Sequence, residues 1–99
     1  MIKKIEHLGI AVKSIEASLP IFEKLLGKKM YKTEIVHSES VKTAFIELGE
    51  SKIELLEATD PSSSIAKFLE KNREGFHHLA IDVENIEAEI IRLTEEGFT

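Results

Sequence analysis

Of the four histidines in the sequence, His7 and His78 occupy the same place in an internal repeat. The segment His7-Leu-Gly-Ile-Ala-Val-Lys-Ser-Ile-Glu-Ala17 matches His78-Leu-Ala-Ile-Asp-Val-Glu-Asn-Ile-Glu-Ala88 at seven of eleven positions, at an offset of 71 (78 minus 7). Imidazole is the commonest ligand for borderline divalent metals, and two histidines with carboxylate oxygens suit a catalytic ion. The chain has no cysteine. Thiolate zinc sites, iron–sulfur clusters, disulfides and thiol nucleophiles are therefore excluded, and a metal here has only His and carboxylate to hold it. Taken singly, each histidine also fits a half-buried strand residue bonded to backbone. Their shared position in the repeat argues for a shared task.

A carboxylate that could join them is Glu54. In the segment 52–57, Ile53 and Leu55 take a covered face and leave Lys52, Glu54 and Leu56 on the other, where the histidines point. A lone strand glutamate also fits a solvated surface position. Glu57 has the opposite parity. His77 shares parity with Leu79 and Ile81 and is assigned to a rim or structural role, outside the cluster. His37 precedes Ser38-Glu39-Ser40 in a predicted turn and reads as a surface residue.

The elements that must carry these groups follow from the pattern. Each repeat copy reads as a strand and then a helix. Leu8, Ile10 and Val12 alternate with His7, Gly9 and Ala11, as Leu79, Ile81 and Val83 do with His78, Ala80 and Asp82. Gly9, Ala11 and Ala80 leave room beside the imidazoles. Ser14 and Asn85 are predicted N-caps, Ile15, Leu19, Phe22 and Leu26 recur at helical spacing, and Gly27 and Gly97 fit the helix ends. Pro20, inside the first helix, is expected to bend it. Strands are predicted over 29–36, 41–48 and 52–57, the last two a hairpin across Gly49-Glu50-Ser51. The loop 59–64 then ends in a cap before a short helix over 65–71.

The expected fold class is α+β, built of repeated βαβββ modules within one domain spanning 1–99. Module one covers 1–74, and module two, 75–99, is expected to be cut short after its first strand and helix. Two full modules need on the order of 130 residues, and the missing strands would leave an open sheet edge and favour self-association.

Composition narrows the class of protein. At 99 residues, 42% hydrophobic and 31% charged, the chain is sized for one globular domain. Its net charge of −5, without a basic run or an aromatic-basic stripe, argues against nucleic acid as a partner. No apolar run approaches the ~18 residues of a membrane span, and the segment 1–7 lacks an apolar signal core. The expectation is a cytoplasmic protein without a membrane partner.

The βαβββ repeat, with His near the start of each module and Glu on the last strand, resembles the vicinal oxygen chelate superfamily, which includes glyoxalase I and extradiol dioxygenases. Four segments, His7-Leu-Gly-Ile-Ala-Val, Gly49-Glu-Ser-Lys-Ile-Glu-Leu-Leu-Glu-Ala-Thr, Ser64-Ile-Ala-Lys-Phe-Leu-Glu-Lys-Asn and Gly75-Phe-His-His-Leu-Ala-Ile-Asp-Val, most closely resemble the methylmalonyl-CoA epimerase family within it. The resemblance covers essentially the whole chain. It implies metal ligands at His7, Glu54 and His78, a divalent ion (Co, Mn, Ni or Zn), an acyl-CoA substrate and a homodimer. The implied activity interconverts the 2R and 2S forms of methylmalonyl-CoA through an enolate. A fourth family ligand, a glutamate, has its counterpart near position 125 (54 plus 71), beyond Thr99. A family carboxylate on the third strand meets Thr43, so no general base is assigned. The alternatives are a glyoxalase I-type isomerase acting on a hemithioacetal, a metal-free module binding a small molecule, and an inactive fragment.

Overall fold

Alternation along the strands sorts the side chains into two layers on either side of one sheet. The computed structural model describes residues 1–99. In chain order the elements are β1 (Ile2–Ala11), α1 (Ile15–Leu26), β2 (Lys32–Val36), a 3-10 turn (His37–Glu39), β3 (Val41–Leu48), β4 (Ser51–Ala58), α2 (Ser64–Lys71), β5 (Gly75–Val83) and α3 (Ile86–Glu95). The strand order is β2-β3-β4-β1-β5, with β1 and β4 parallel and every other pair antiparallel. The first four strands and α1 form a βαβββ unit, and β5 with α3 repeats its opening.

One face of the sheet is covered by α1. There Val12, Ile15, Ala44, Ile46, Ile53 and Leu55 form the larger core, joined by Leu8, Ile10, Leu19, Phe22 and Leu26. Ile46 and Leu55 are fully buried, and each contributes about 1.5–3 kcal/mol by leaving water. The opposite face carries a smaller cluster, Ala11, Val41, Leu56 and Ile65, packed with Phe68 and Leu69 of α2. That second face holds the histidines.

The capping residues act as their types predict. Ser14 Oγ accepts from the Ala17 amide at 3.2 Å, and its repeat counterpart Asn85 accepts from Ala88 at 3.0 Å. Gly27 ends α1 in the left-handed region, at φ 68°. Glu57, on the α1 side of β4, accepts from the Ile15 amide at 2.6 Å and so caps the same helix. α1 runs unbroken from Ile15 to Leu26 with Pro20 inside it. Ser63 caps α2, accepting from Ile65 and Ala66. Strand β2 starts at Lys32 rather than at 29, because Glu23 Oε2 at the end of α1 takes the Met30 amide at 2.7 Å and draws the chain out of the ladder.

Pairing between β1 and β5 obeys a local two-fold axis. Leu8 faces Leu79, while His7 faces Ala80 as Gly9 faces His78, and Ile5 faces Ile81 as Ile10 faces Phe76. Adding or subtracting the repeat offset turns each pair into its mate. The axis therefore passes through the Leu8–Leu79 pair. Two β-bulges obey the same symmetry: one makes Glu6 an extra residue on β1, the other makes His77 an extra residue on β5.

The far side of β5 and α3 is open to solvent, with Leu79, Ile81, Ile90 and Ile91 all exposed. Glu89 is the buried exception on α3, bonded to the Met1 ammonium at 2.6 Å and to Arg92 at 2.8 Å. Those two cations hold its carboxyl below the usual carboxylate range. No helix is long and apolar enough to cross a membrane.

Candidate metal centre

Gly9 is the pivot of the site. It lies in β1 between two neighbours at its own level, Glu54 on β4 and His78 on β5. His7 stands two residues back along β1 and so points to the same face. With no side chain at Gly9, the His78 ring leans into the space a Cβ would fill and meets His7 edge-on, at 5.1 Å between ring centroids and 87° between planes.

The three expected ligands come together. The Nε2 atoms of His7 and His78 are 3.0 Å apart, and Glu54 Oε1 lies 3.3 Å from the first and 3.4 Å from the second. One ligand atom from each of the three falls within 4.8 Å of the others. Glu54 is only 9% exposed, an unusual burial for a carboxylate without a lysine or arginine beside it. The donor set fits a small cation. Atoms bound to one ion at about 2.1 Å stand about 3.0 Å apart at right angles and about 3.4 Å apart at tetrahedral angles, the spacings found here.

Outside this triangle the histidines are held by their sequence neighbours. Glu6 Oε1 lies 2.8 Å from His7 Nδ1, and its other oxygen accepts from Lys52 Nζ at 2.8 Å. Lys52, first through its hydrogen bond, and then His7 draw the Glu6 carboxyl down from 4.5 to about 2. Ionised, Glu6 is an acceptor only, and it stands where the His7 Nδ1–H can donate to it. His77 Nδ1 is 2.9 Å from His78 Nδ1, and its ring meets Phe68 edge-on at 4.9 Å. Burial holds His77 below the usual histidine pKa, and His78 beside it adds to the effect. A continuous line of polar contacts thus runs His77, His78, His7, Glu6, Lys52.

Strand parity alone set His77 outside the cluster. His77 does stay outside the three-ligand group, but the bulge changes its face: as an extra residue it lies on the side of His78 and touches it. Glu6 went unnoticed for the same reason, and its only signal in the sequence is its place beside a histidine. Glu57 faces away, as its parity requires, and His37 lies in the exposed 3-10 turn. Thr43, 2% exposed, lies on the histidine face with its hydroxyl 3.5 Å from the Glu34 carbonyl. A surface hollow of about 210 Å³ lies at the end of α1 beside Pro20, Glu23 and Lys24, and none of the three histidine-cluster residues lines it.

A sheet of this topology with two histidines and a glutamate converging beside a local two-fold defines a class. The chain belongs to the Glyoxalase/Bleomycin resistance protein/Dioxygenase superfamily, whose family model matches residues 6–99. Within it, several relatives are methylmalonyl-CoA or ethylmalonyl-CoA/methylmalonyl-CoA epimerases. The chain is 39% identical over 98 residues to the ethylmalonyl-CoA/methylmalonyl-CoA epimerase of Cereibacter sphaeroides, covering 98% of itself and 73% of that protein. To the human mitochondrial methylmalonyl-CoA epimerase it is 33% identical over 94 residues, which is 94% of this chain and 53% of the human one. It spans about half the length of the mammalian relatives it matches. Among solved structures, a variant of Streptomyces coelicolor methylmalonyl-CoA epimerase in complex with 2-nitronate-propionyl-CoA superposes with a TM-score of 0.88. The two are 28% identical, over 100% of this chain and 73% of that one.

Proposed function

We propose that the chain is a metal-dependent epimerase that interconverts the 2R and 2S forms of methylmalonyl-CoA, with His7, Glu54 and His78 as ligands of a divalent Co, Mn, Ni or Zn ion. The observation that carries this reading is the convergence of two Nε2 atoms and one carboxylate oxygen at spacings of 3.0 to 3.4 Å. The similarity to acyl-CoA epimerases supplies the substrate class. A divalent ion held there supplies Lewis-acid stabilisation of negative charge on a carbonyl oxygen.

The substrate carbon lies between a thioester and a carboxylate, so its proton is acidic and its configuration is lost once that proton leaves. The chain's contribution is to hold that chemistry in one place. Glu54 brings a buried carboxylate, His7 and His78 bring imidazole nitrogens, and Glu6 and His77 contact the two rings at their outer nitrogens. Gly9 keeps the space between the strands free. No residue of this chain is assigned as the proton-transferring base.

The same proposal divides the chain into module one, 1–74, and the start of module two, 75–99, within a single domain. A homodimer is proposed on the exposed apolar residues Leu79, Ile81, Ile90 and Ile91 beside the open edge of β5. The cytoplasm is the proposed compartment, on the absence of cysteine and the acidic, membrane-free composition.

The test is to purify the protein without chelators, measure bound metal, and follow exchange of the substrate α-proton in deuterated solvent with methylmalonyl-CoA. Metal-dependent exchange is expected, and it should vanish with Glu54→Ala. Isomerisation of a hemithioacetal without that exchange would instead assign a glyoxalase-type reaction. Small-molecule binding without any ion would assign a binding module.

A further inference from the structure

Two of the three bulges between β1 and β5, those at Glu6 and His77, fall at symmetry-related places and have the same effect. In a regular ladder the residue before each histidine would point to the opposite face of the sheet. An extra residue reverses this. Glu6 and His77 are thereby brought onto the histidine face, each against the Nδ1 of the histidine that follows it.

The two contacts differ in strength. His77 offers an imidazole, whereas Glu6 offers a carboxylate that is itself fixed. Lys52 is the register partner of His7 on β4, and its ammonium bonds Glu6 Oε2 at 2.8 Å while Oε1 faces His7 Nδ1 at 2.8 Å. Glu6 cannot turn from His7 without straining or breaking its bond to Lys52.

We infer that Glu6, clamped by Lys52, is a positioning residue that locks His7 in the Nδ1–H form with its Nε2 aimed at Glu54 and His78. This rests on the metal-ligand reading of those three residues. A carboxylate on the distal N–H fixes the ring orientation and raises the basicity of the nitrogen that binds metal. Charge at that point matters as well as geometry. A neutral acceptor holds the ring but polarises it less.

The test uses the full chain and its variants Glu6→Leu, Glu6→Gln and Lys52→Met, with zinc ion alone as the probe. Calorimetry reads zinc affinity, and long-range proton–nitrogen NMR of the metal-free protein reads the tautomer of His7. Glu6→Leu should weaken zinc binding by about 10- to 100-fold and leave His7 as a mixture of tautomers. Glu6→Gln should keep the Nδ1–H form, because the amide oxygen still accepts, and lose less affinity. Lys52→Met should fall between wild type and Glu6→Leu. Should Glu6→Leu fail to fold, the other two variants decide the matter through the same two readouts. Unchanged zinc affinity in Glu6→Leu, or a wild-type His7 without a proton on Nδ1, would overturn the inference. If the wild-type chain takes up no zinc, the metal-ligand reading falls, and the tautomer of His7 still decides whether Glu6 positions it.

Discussion

Replacing Gly9 by alanine should disable the centre while sparing the fold. A Cβ built on Gly9 has His78 ring atoms as its three nearest neighbours, with Nδ1 at 2.5 Å and Nε2 at 2.7 Å. Ordinary carbon contacts lie at about 3.5–4.0 Å, so the ring must withdraw by about 1 Å. Metal bonds tolerate only about 0.2 Å of error, and the displaced Nε2 no longer reaches the point shared with His7 and Glu54. Overpacking costs about 1–3 kcal/mol where side chains are trapped. His78 is not trapped, because its side chain is 35% exposed and can swing toward water. Alanine also recovers about 0.5–1 kcal/mol of backbone entropy that glycine loses in a strand. The net change in stability should stay within about 1 kcal/mol, whereas zinc affinity should fall at least about tenfold, or about 1.4 kcal/mol. Calorimetric titration with zinc and urea unfolding of the metal-free protein give the two numbers. Wild-type zinc affinity in Gly9→Ala would refute the reasoning that ties this glycine to the His78 ring.

Three further outcomes follow from the packing and contacts described above. His77→Phe keeps an aromatic ring against Phe68 but removes the group facing His78 Nδ1, so zinc binding should weaken several-fold, up to about tenfold, with little change in melting temperature. Leu55→Ala, at a fully buried position in the larger core, should cost about 2–5 kcal/mol in urea unfolding; less than 1 kcal/mol would mean that the core around α1 is loosely packed. Asp60 is held below its usual 3.8 by the Ser62 hydroxyl and then by the Ser62 amide. A depressed carboxylate adds stability that is complete above 3.8 and fades as pH falls below it, so Ser62→Ala should raise the Asp60 pKa in a carbon-detected NMR titration and flatten that part of the acid loss.

Much of this architecture is written in local pattern. Alternation in β1 and β4 predicts that His7 and Glu54 share the open face, and the repeat adds His78 to them without knowledge of strand order. Ser14 and Asn85 mark their helices because a short polar side chain reaching an open amide is a local event. The bulges are different. Neither Glu6 nor His77 is a glycine or stands beside a proline, so nothing nearby announces an irregular strand. The extra residues arise from pairing between β1 and β5, partners separated by most of the chain. Parity counted along one strand therefore puts His77 on the wrong face, though rightly outside the ligand group, and passes over Glu6. The late start of β2 has a similar origin, since Glu23 captures the Met30 amide across a turn that periodicity does not see.

The axis through Leu8 and Leu79 has a consequence for descent. A two-fold relation between neighbouring strands is also what two separate copies of one short chain adopt when they pair edge to edge. A single ancestral βαβββ segment with one histidine would thus acquire a second, facing imidazole merely by pairing with its twin, and fusion of two copies would preserve it. Such a fusion would free the halves to diverge where symmetry had held them equal. Around the histidines the two copies differ: a carboxylate stands beside one and an imidazole beside the other, with glycine opposite His78 and alanine opposite His7. On that route the paired donors would be what the two halves keep in common, and their unequal surroundings what each has added.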